Sequence, residues 1–392
     1  MGIASSASKI VFVVNVAWYF RLHWLERALA AKAAGFRVYV VSGSDSVAED
    51  CKFFENQGIH WVHWRVSRFS VAPSILHQEF QALRATLDEV CPDIVHSITI
   101  KPNLFCGIYS LRRKSDCRYV QTFPGMGSIL AGKSPKGAVK RVLATIALRR
   151  VCRHVDWMTF ENNDDARYFR RWISRPETNF LVSLGAGVDL QQFRYSENIK
   201  EPDSPLRVLH AARLLKSKGL PPLVEAARAL NSNGQRVELT VAGIPEPESG
   251  DSISVDWVQE QHDCGNLNYL GKVDDMVSLI SRNHVVALPT SYGEGIPRIL
   301  IEAAAMGRCV LATDVPGCRE LIDDCETGLL LKNAKAETIA SRLETLIAKP
   351  ECLGRMGVNA RAKVESGFEK STVIEQFLGI YSTLNKEPDC FK

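Results

Sequence analysis

Glu294-Gly295-Ile296-Pro297-Arg298-Ile299-Leu300-Ile301-Glu302 follows an apolar run, Val285-Val286-Ala287-Leu288-Pro289, and this order decides the fold. A short buried strand, a Gly-Ile-Pro turn and a helix make the strand-to-helix junction of a parallel α/β layer. Pro297 suits a first helical position, where its missing N–H had no partner to lose. Glu294 then lies in the loop before the helix, and Glu302 about five residues in, more than one turn later at roughly 1.5 Å per residue. The N–H groups within Gly295-Ile296-Pro297-Arg298 read as an anion cradle at the mouth of a cleft. Two acceptor-only carboxylates beside such a cradle suit a ligand that carries both phosphate and hydroxyl groups.

The same pattern recurs outward from this stretch. Leu206 to His210 is a buried strand running into Ala211-Ala212-Arg213-Leu214-Leu215-Lys216-Ser217-Lys218-Gly219 and a helix to about Asn231. Three cations within six residues at the carboxyl end of a strand are costly to bury without an anion. Strands near 237–242, 267–270, 285–288, 309–312 and 328–331 complete a parallel sheet. Gly243 ends one of them, where a base or ribose can approach the backbone. Upstream, a polar stretch with Pro202 and Pro205 separates this half from an earlier one with its own alternation. Strands there fall at 10–14, 36–41, 59–64, 93–97, 118–122, 156–160 and 179–182, and helices near 20–34, 72–91, 103–113, 136–153 and 162–173. We therefore expect an N-terminal domain over 1–184, a linker over 185–204, a C-terminal domain over 205–369, and a terminal helix within 370–392 that packs back on the first domain.

Length and composition agree with two such domains. The chain has 392 residues, 46% hydrophobic and 23% charged, which is ordinary for a globular protein. A net charge of +4 gives no argument for nucleic acid, and eleven cysteines without a C-x-x-C pair indicate neither a zinc site nor a disulfide framework. No apolar run approaches the roughly 18 residues of a membrane span, and Met1 to Lys9 lacks the order of a signal peptide. The expectation is a cytoplasmic protein with reduced thiols.

In the first half, the turn Asn15-Val16-Ala17-Trp18-Tyr19 has no glycine, which argues against a dinucleotide pyrophosphate there. Polar residues at the carboxyl ends of its strands are Asn15, His23, His96, Lys101, the loop Pro124-Gly125-Met126-Gly127, and Glu161-Asn162. His23, near the start of the first helix, is the candidate chosen among them. Residues 133 to 153 carry Lys133, Lys136, Lys140, Arg141, Arg149, Arg150 and Arg153 with no acid. Val139, Val142, Leu143, Ile146, Ala147 and Val151 recur there at helical spacing. Either this helix lies on an anionic membrane surface, or its apolar stripe packs on its own sheet and its charges are merely solvated.

Taken together, the Glu294 to Glu302 block continuing through Gly307-Arg308, with Thr313-Asp314-Val315-Pro316-Gly317-Cys318-Arg319-Glu320 and Gly328-Leu329-Leu330, resembles the retaining family 4 glycosyltransferases. Arg213 with Lys218-Gly219, and Gly187-Val188-Asp189 with Phe193, extend the resemblance over nearly the whole chain. Trp18 to His23, His96 to Leu104, Gly125 to Gly127 and Phe160 to Asp165 are similar to the subgroup that builds bacterial surface polysaccharides or glycan units on polyprenyl diphosphate. One departure is Thr122-Phe123-Pro124, where many members carry a histidine.

The resemblance implies an α/β fold of the GT-B kind, two Rossmann-like doubly wound parallel-sheet domains facing across a cleft. It implies a nucleotide-sugar donor, a UDP-hexose or UDP-N-acetylhexosamine, and a polyprenyl-diphosphate-linked or other glycan acceptor bound by the first domain. Arg213 and Lys218 would hold the diphosphate with the amides at Gly295, Ile296, Pro297 and Arg298, and Gly243 would lie against the nucleotide. Glu302 would accept the ribose hydroxyls, and Glu294 would face the transferred sugar; the resemblance leaves open which group of the first domain works with it, and His23 is the candidate taken from the first half's own reading. The catalytic set is thus Glu294, Arg213, Lys218 and His23. The sequence has no D-x-D, and no metal or other cofactor is expected. The protein would be cytoplasmic, peripheral on the inner face of the membrane through 133–153. An epimerase or phosphorylase of the same fold, or a non-catalytic nucleotide-sugar-binding subunit, are the competing readings.

Overall fold

The computed structural model describes residues 7–67, 70, 72–112, 117–126, 135–198, 200–201, 203–247, 249–291 and 295–385, with the backbone alone at 112, 135–138 and 140. The chain forms two compact units, Met1–Ala186 with Ser371–Lys392, and Gly187–Lys370.

The first unit runs β1 (Lys9–Val16), α1 (Ala17–His23), α2 (Leu25–Ala33), β2 (Arg37–Gly43), α3 (Val47–Asn56), β3 (His60–His63), α4 (Pro73–Val90), β4 (Ile94–Ile98), α5 (Ile100–Arg112), β5 (Arg118–Phe123), α6 (Pro135–Val151), β6 (Trp157–Phe160), α7 (Asn163–Trp172) and β7 (Asn179–Val182). Its strands pair in parallel in the order β3-β2-β1-β4-β5-β6-β7. Alternate side chains of β1 enter opposite layers. Ile10, Phe12 and Val14 pack with Phe20, Trp24 and Phe54, while Val11 and Val13 pack with Leu83 and Phe105. Helices on both faces explain why Ile10 to Val14 of β1 reads as an unbroken apolar run, and why β4 is buried along its whole length.

The second unit runs β8 (Leu206–Ala211), a 3-10 turn (Lys216–Lys218), α8 (Leu220–Ser232), β9 (Val237–Ala242), α9 (Val255–Asp263), β10 (Asn268–Tyr269), α10 (Met276–Ser281), β11 (Val285–Leu288), α11 (Arg298–Ala305), β12 (Cys309–Thr313), α12 (Cys318–Leu321), β13 (Gly328–Leu331), α13 (Ala336–Ala348) and α14 (Glu351–Gly367). Its parallel order is β10-β9-β8-β11-β12-β13. In both sheets the chain winds one way from the first strand and then returns to the first strand's other side. The reversal falls between β1 and β4 in one unit and between β8 and β11 in the other.

The last helix, α15 (Lys370–Asn385), places Val373, Phe377, Ile380 and Tyr381 in the core of the first unit. Tyr381 Oη meets His96 Nδ1 at 2.7 Å, and Trp24 packs edge-on to Phe377 at 5.2 Å between ring centroids. Arg27 is buried here. It donates to the carbonyls of His23 (2.6 Å) and Gly185 (2.7 Å), and its guanidinium lies over the rings of Trp24 (4.4 Å) and Phe377 (4.8 Å).

Two expectations change. The helix expected over 20–34 begins at Ala17 and breaks at Trp24, where the indole enters the core against His96 and Phe377. His23 therefore ends α1 instead of opening a helix. Much of the stretch expected as a linker is fixed on the second unit: Val188 N–H donates to Phe368 O (2.9 Å), Arg308 to Ser196 O (2.6 Å), and buried Asn198 to His284 O (2.9 Å).

Candidate functional site

Open parallel sheets bind ligands beyond the carboxyl ends of their strands, at the point where winding reverses. In the second unit that point lies between β8 and β11, and both expected elements arise there. The loop after β8 carries Arg213 and Lys218, and the loop after β11 leads into α11. The two loops are joined directly: Ser291 N–H donates to Ser217 O at 2.8 Å, and Thr290 Oγ1 to the same carbonyl at 3.2 Å. Gly219 lies against Pro289 so closely that a Cβ there would sit 2.0 Å from the Pro289 carbonyl oxygen, and its φ of +81° favours glycine independently.

Lys218 is buried at the end of the 3-10 turn, and Arg213 is two-fifths exposed and ion-paired with Glu246. Gly243 closes β9 beside this loop. A Cβ on it would meet Ala212 O at 1.9 Å, and Tyr269 Oη donates to its carbonyl at 3.0 Å. Gly295 is half-buried and Ile296 buried ahead of α11.

Pro297 is the residue before the helix, not its first residue. Its ψ of 121° is extended, and α11 starts at Arg298. Proline has no N–H, so the amide cradle loses Pro297 and takes in Ile299 instead, giving Gly295, Ile296, Arg298 and Ile299 ahead of the Leu300 N–H to Pro297 O bond (3.0 Å). Glu302 is buried one turn on, with Oε1 held by Arg298 Nε at 2.6 Å. Burial pushes its carboxyl above the usual range, against the pull of Arg298. Glu294 lies outside the described residues.

Sequence reasoning missed the groups that hold the cationic loop in place. Residues 244–247 and 249–253 follow β9, the neighbour of β8, and run along the loop. Leu214 N–H donates to Ile244 O (2.9 Å), Ile253 N–H to Leu214 O (2.8 Å), and Lys216 N–H to Asp251 O (2.8 Å). The Asp251 carboxylate accepts from Ser217 N–H (3.2 Å) and from the Ser217 hydroxyl. An acid between two prolines, Pro245-Glu246-Pro247, was the available signal, because a stiffened carboxylate near a cation cluster is a natural counter-charge. His210, on β8, is the other. Its Nδ1 donates to Ala287 O (3.0 Å), and its buried Nε2 finds no partner among the described residues. Burial, reinforced by the charge of Lys218, lowers its pKa to about 4, so the ring is neutral.

Several first-unit candidates have structural jobs. His96 is buried, and its Nε2 meets Thr122 Oγ1 at 2.7 Å opposite the Tyr381 contact. Lys101 donates to Glu79 and to Ser67 O, both at 2.7 Å. Asn162 caps α7 by accepting Asp165 N–H (2.8 Å), and Asp165 in turn accepts Met126 N–H (3.0 Å), which fixes the Pro124-Gly125-Met126 loop. Glu161 supplies a charge that partly offsets the cost of burying Arg27. Asn15 Nδ2 donates to Thr99 Oγ1 (3.0 Å) at the reversal between β1 and β4, and its buried Oδ1 finds no partner among the described residues. His23 packs against Tyr19 with the rings tilted by 38° and their centroids 4.5 Å apart. Gly127 and Lys133 lie outside the described residues.

The stripe named on the basic helix does not pack on the sheet. Val139, Val142, Leu143 and Ile146 are exposed, and of the six named residues Val151 is buried. Among the described residues no helix is long and apolar enough to cross a membrane.

Two family models match the chain, "Glycosyl transferase 4-like" over residues 9–162 and "Glycosyl transferases group 1" over 191–363. The chain is 23% identical to the N,N'-diacetylbacillosaminyl-diphospho-undecaprenol alpha-1,3-N-acetylgalactosaminyltransferase of Campylobacter jejuni, covering 94% of this chain and 96% of that protein. It superimposes on a glycosyltransferase from Rickettsia africae with a TM-score of 0.74 at 18% identity, covering 98% and 100% of the two chains. HepE of Anabaena, solved in complex with UDP-glucose, gives a TM-score of 0.69 at 19% identity over 96% and 99%. At these identities the solved structures establish the fold, two Rossmann-like domains of GT-B type.

Proposed function

We propose that this chain, which belongs to the family 4 glycosyltransferases of GT-B fold, moves a sugar from a UDP-sugar to a lipid-linked or other glycan acceptor in bacterial polysaccharide synthesis. The observation that carries the donor half is the junction at the winding reversal of the second unit. There the Arg213–Lys218 loop is hydrogen-bonded to the loop leading into α11. Breaking a sugar–diphosphate bond leaves additional negative charge on the diphosphate. Fixed cations and amides at that point stabilise the transition state more than the ground state.

In this reading Lys218 and Arg213 take the diphosphate, with the amides of Gly295, Ile296, Arg298 and Ile299. The diphosphate competes with Glu246 for Arg213. Glu302 accepts the ribose hydroxyls, and Glu294 faces the transferred sugar. His23 remains the candidate on the first unit. The reading assigns no metal to the reaction. Retention of anomeric configuration follows from the family. UDP as donor nucleotide is supported by the UDP-glucose complex of HepE, and an undecaprenyl-diphosphate-linked acceptor by the name of the Campylobacter relative. An acceptor on a polyprenyl chain confines the reaction to a bilayer surface, so the enzyme acts peripherally on the inner face of the membrane.

The test replaces Lys218 and Glu294 separately by alanine and follows UDP release from a panel of UDP-sugars with and without glycan acceptor. UDP release that needs acceptor, and falls at least about a hundredfold in both variants, is expected. Unchanged turnover in both variants refutes the site. Interconversion of the donor without acceptor identifies an epimerase, and donor binding without turnover identifies a binding subunit.

A further inference from the structure

The face of α6 that the sheet leaves uncovered is apolar, and its setting is basic. Val139, Val142, Leu143 and Ile146 recur at three- and four-residue spacing and are 61%, 58%, 63% and 62% exposed. These values mean that nothing described in the chain covers them. The helix is anchored from its opposite side, where Leu148 and Val151 are buried with Phe123 and Met158, and Thr145 Oγ1 meets Tyr168 Oη of α7 at 2.6 Å. It thus carries two apolar stripes. A helix on a doubly wound sheet needs one of them for its own packing. A contiguous apolar stripe left in water marks an interaction surface, whereas scattered exposed apolar residues do not.

Charge identifies the partner. The helix sequence from Pro135 to Val151 contains no acid, and Arg149 and Arg150 in its last turn are exposed. The imbalance extends to the whole unit. Met1–Ala186 with Ser371–Lys392 carries 27 Lys and Arg against 18 Asp and Glu, while Gly187–Lys370 carries 21 against 26. Positive charge is therefore concentrated on the unit that bears the uncovered stripe. A second copy of this chain would bring like charge to like charge. An anionic bilayer satisfies both features, taking the arginines at its phosphates and the aliphatic side chains just beneath them.

We infer that α6 inserts Val139, Val142, Leu143 and Ile146 into one leaflet of an anionic membrane, lying parallel to its surface with Arg149 and Arg150 at the headgroups. This rests on the proposed lipid-linked acceptor for its purpose, but it stands on the helix alone for its physics. Insertion differs from electrostatic adsorption in surviving salt, because the apolar part of the binding is not screened.

The experiment is co-flotation of the full-length protein with vesicles of phosphatidylglycerol and phosphatidylethanolamine, or of phosphatidylcholine alone, at 0.1 M and 0.5 M salt. Flotation with the anionic vesicles is expected to weaken but persist at the higher salt. Leu143→Gln with Ile146→Gln is expected to lower partitioning at both salt concentrations by roughly tenfold or more. Arg149→Glu with Arg150→Glu is expected to lower it by roughly tenfold or more at 0.1 M salt. All four positions are exposed, so the thermal midpoint of both double variants is expected within about 1 °C of wild type, which separates lost binding from lost folding. Unaltered flotation of the Leu143/Ile146 variant, or complete loss of wild-type flotation at 0.5 M salt, overturns the inference. So does a dimer in sedimentation that this variant dissolves, because the stripe is then a self-association face. Protection by UDP against heat unfolding is read on the other unit. Its absence counts against the transferase reading and leaves the flotation result standing.

Discussion

Gly219 and Gly234 flank the same helix, α8, with nearly equal backbone angles, φ +81° and +79°, and opposite surroundings. A Cβ at Gly219 would lie 2.0 Å from Pro289 O and 2.7 Å from its carbonyl carbon, whereas a Cβ at Gly234 meets nothing within 4 Å. Gly234→Ala therefore measures the left-handed backbone cost alone, about 1–2 kcal/mol. Gly219→Ala adds an overlap that ends only when the two loops part by about 1 Å, for a further 1–3 kcal/mol or so. In a unit of this size each kcal/mol corresponds to about 2–4 °C. The expected falls in midpoint are about 2–8 °C for Gly234→Ala and about 4–20 °C for Gly219→Ala. Separation of the loops also strains the Ser291–Ser217 hydrogen bond and moves Lys218, so UDP affinity by calorimetry is expected to fall roughly ten- to a hundredfold in Gly219→Ala and to hold in Gly234→Ala. Equal destabilisation of the two variants, or UDP affinity within twofold of wild type in Gly219→Ala, refutes the close packing of the two loops as the frame of the proposed donor site.

Glu302 has a folded-state pKa above its unfolded value, so the stability it gives is present at low pH and lost as pH rises through the folded pKa. Glu302→Gln is then expected to unfold at a higher temperature than wild type at pH 8, with the advantage vanishing near pH 4, and Glu302→Ala to bind UDP about 1–3 kcal/mol more weakly; melts at both pH values and UDP calorimetry check this. Tyr381→Phe removes the 2.7 Å partner of buried His96 Nδ1 and is expected to lower stability by about 1–3 kcal/mol in denaturant titration, with UDP affinity unchanged because the pair belongs to the first unit.

The fold was legible wherever burial on both faces writes a strand as an unbroken apolar run. Val285 to Leu288 was expected at the bounds it occupies; Val237 to Ala242 was too, although Glu238 and Thr240 interrupt its apolar residues and Glu238 is exposed. Arg213 and Lys218 were legible as candidates because cations gathered at a strand's carboxyl end need an anion. Their partners were not. Glu246 and Asp251 reach the loop only because β9 lies beside β8, and residues 244–253 have no periodicity to betray that path. Pro297 misled by one position, since proline is as comfortable just before a helix as at its first residue. On α6, periodicity identifies apolar stripes but cannot say which one meets the sheet. Val151 and Leu148 took that role, and the stripe through Val142 and Ile146 stayed in solvent.

Arg27 has a consequence for how the protein is made. Its guanidinium is tied to Gly185, just before the chain leaves the first unit, and covered by Phe377, just after it returns. On the ribosome, the first unit emerges without the helix that covers Trp24, His96 and Arg27, and waits until the entire second unit has been translated. The second unit is continuous and has no such wait. Its folding is therefore expected to finish first, reversing the usual N-to-C order. A fragment ending at Ala186 would keep a buried arginine beneath an open apolar roof.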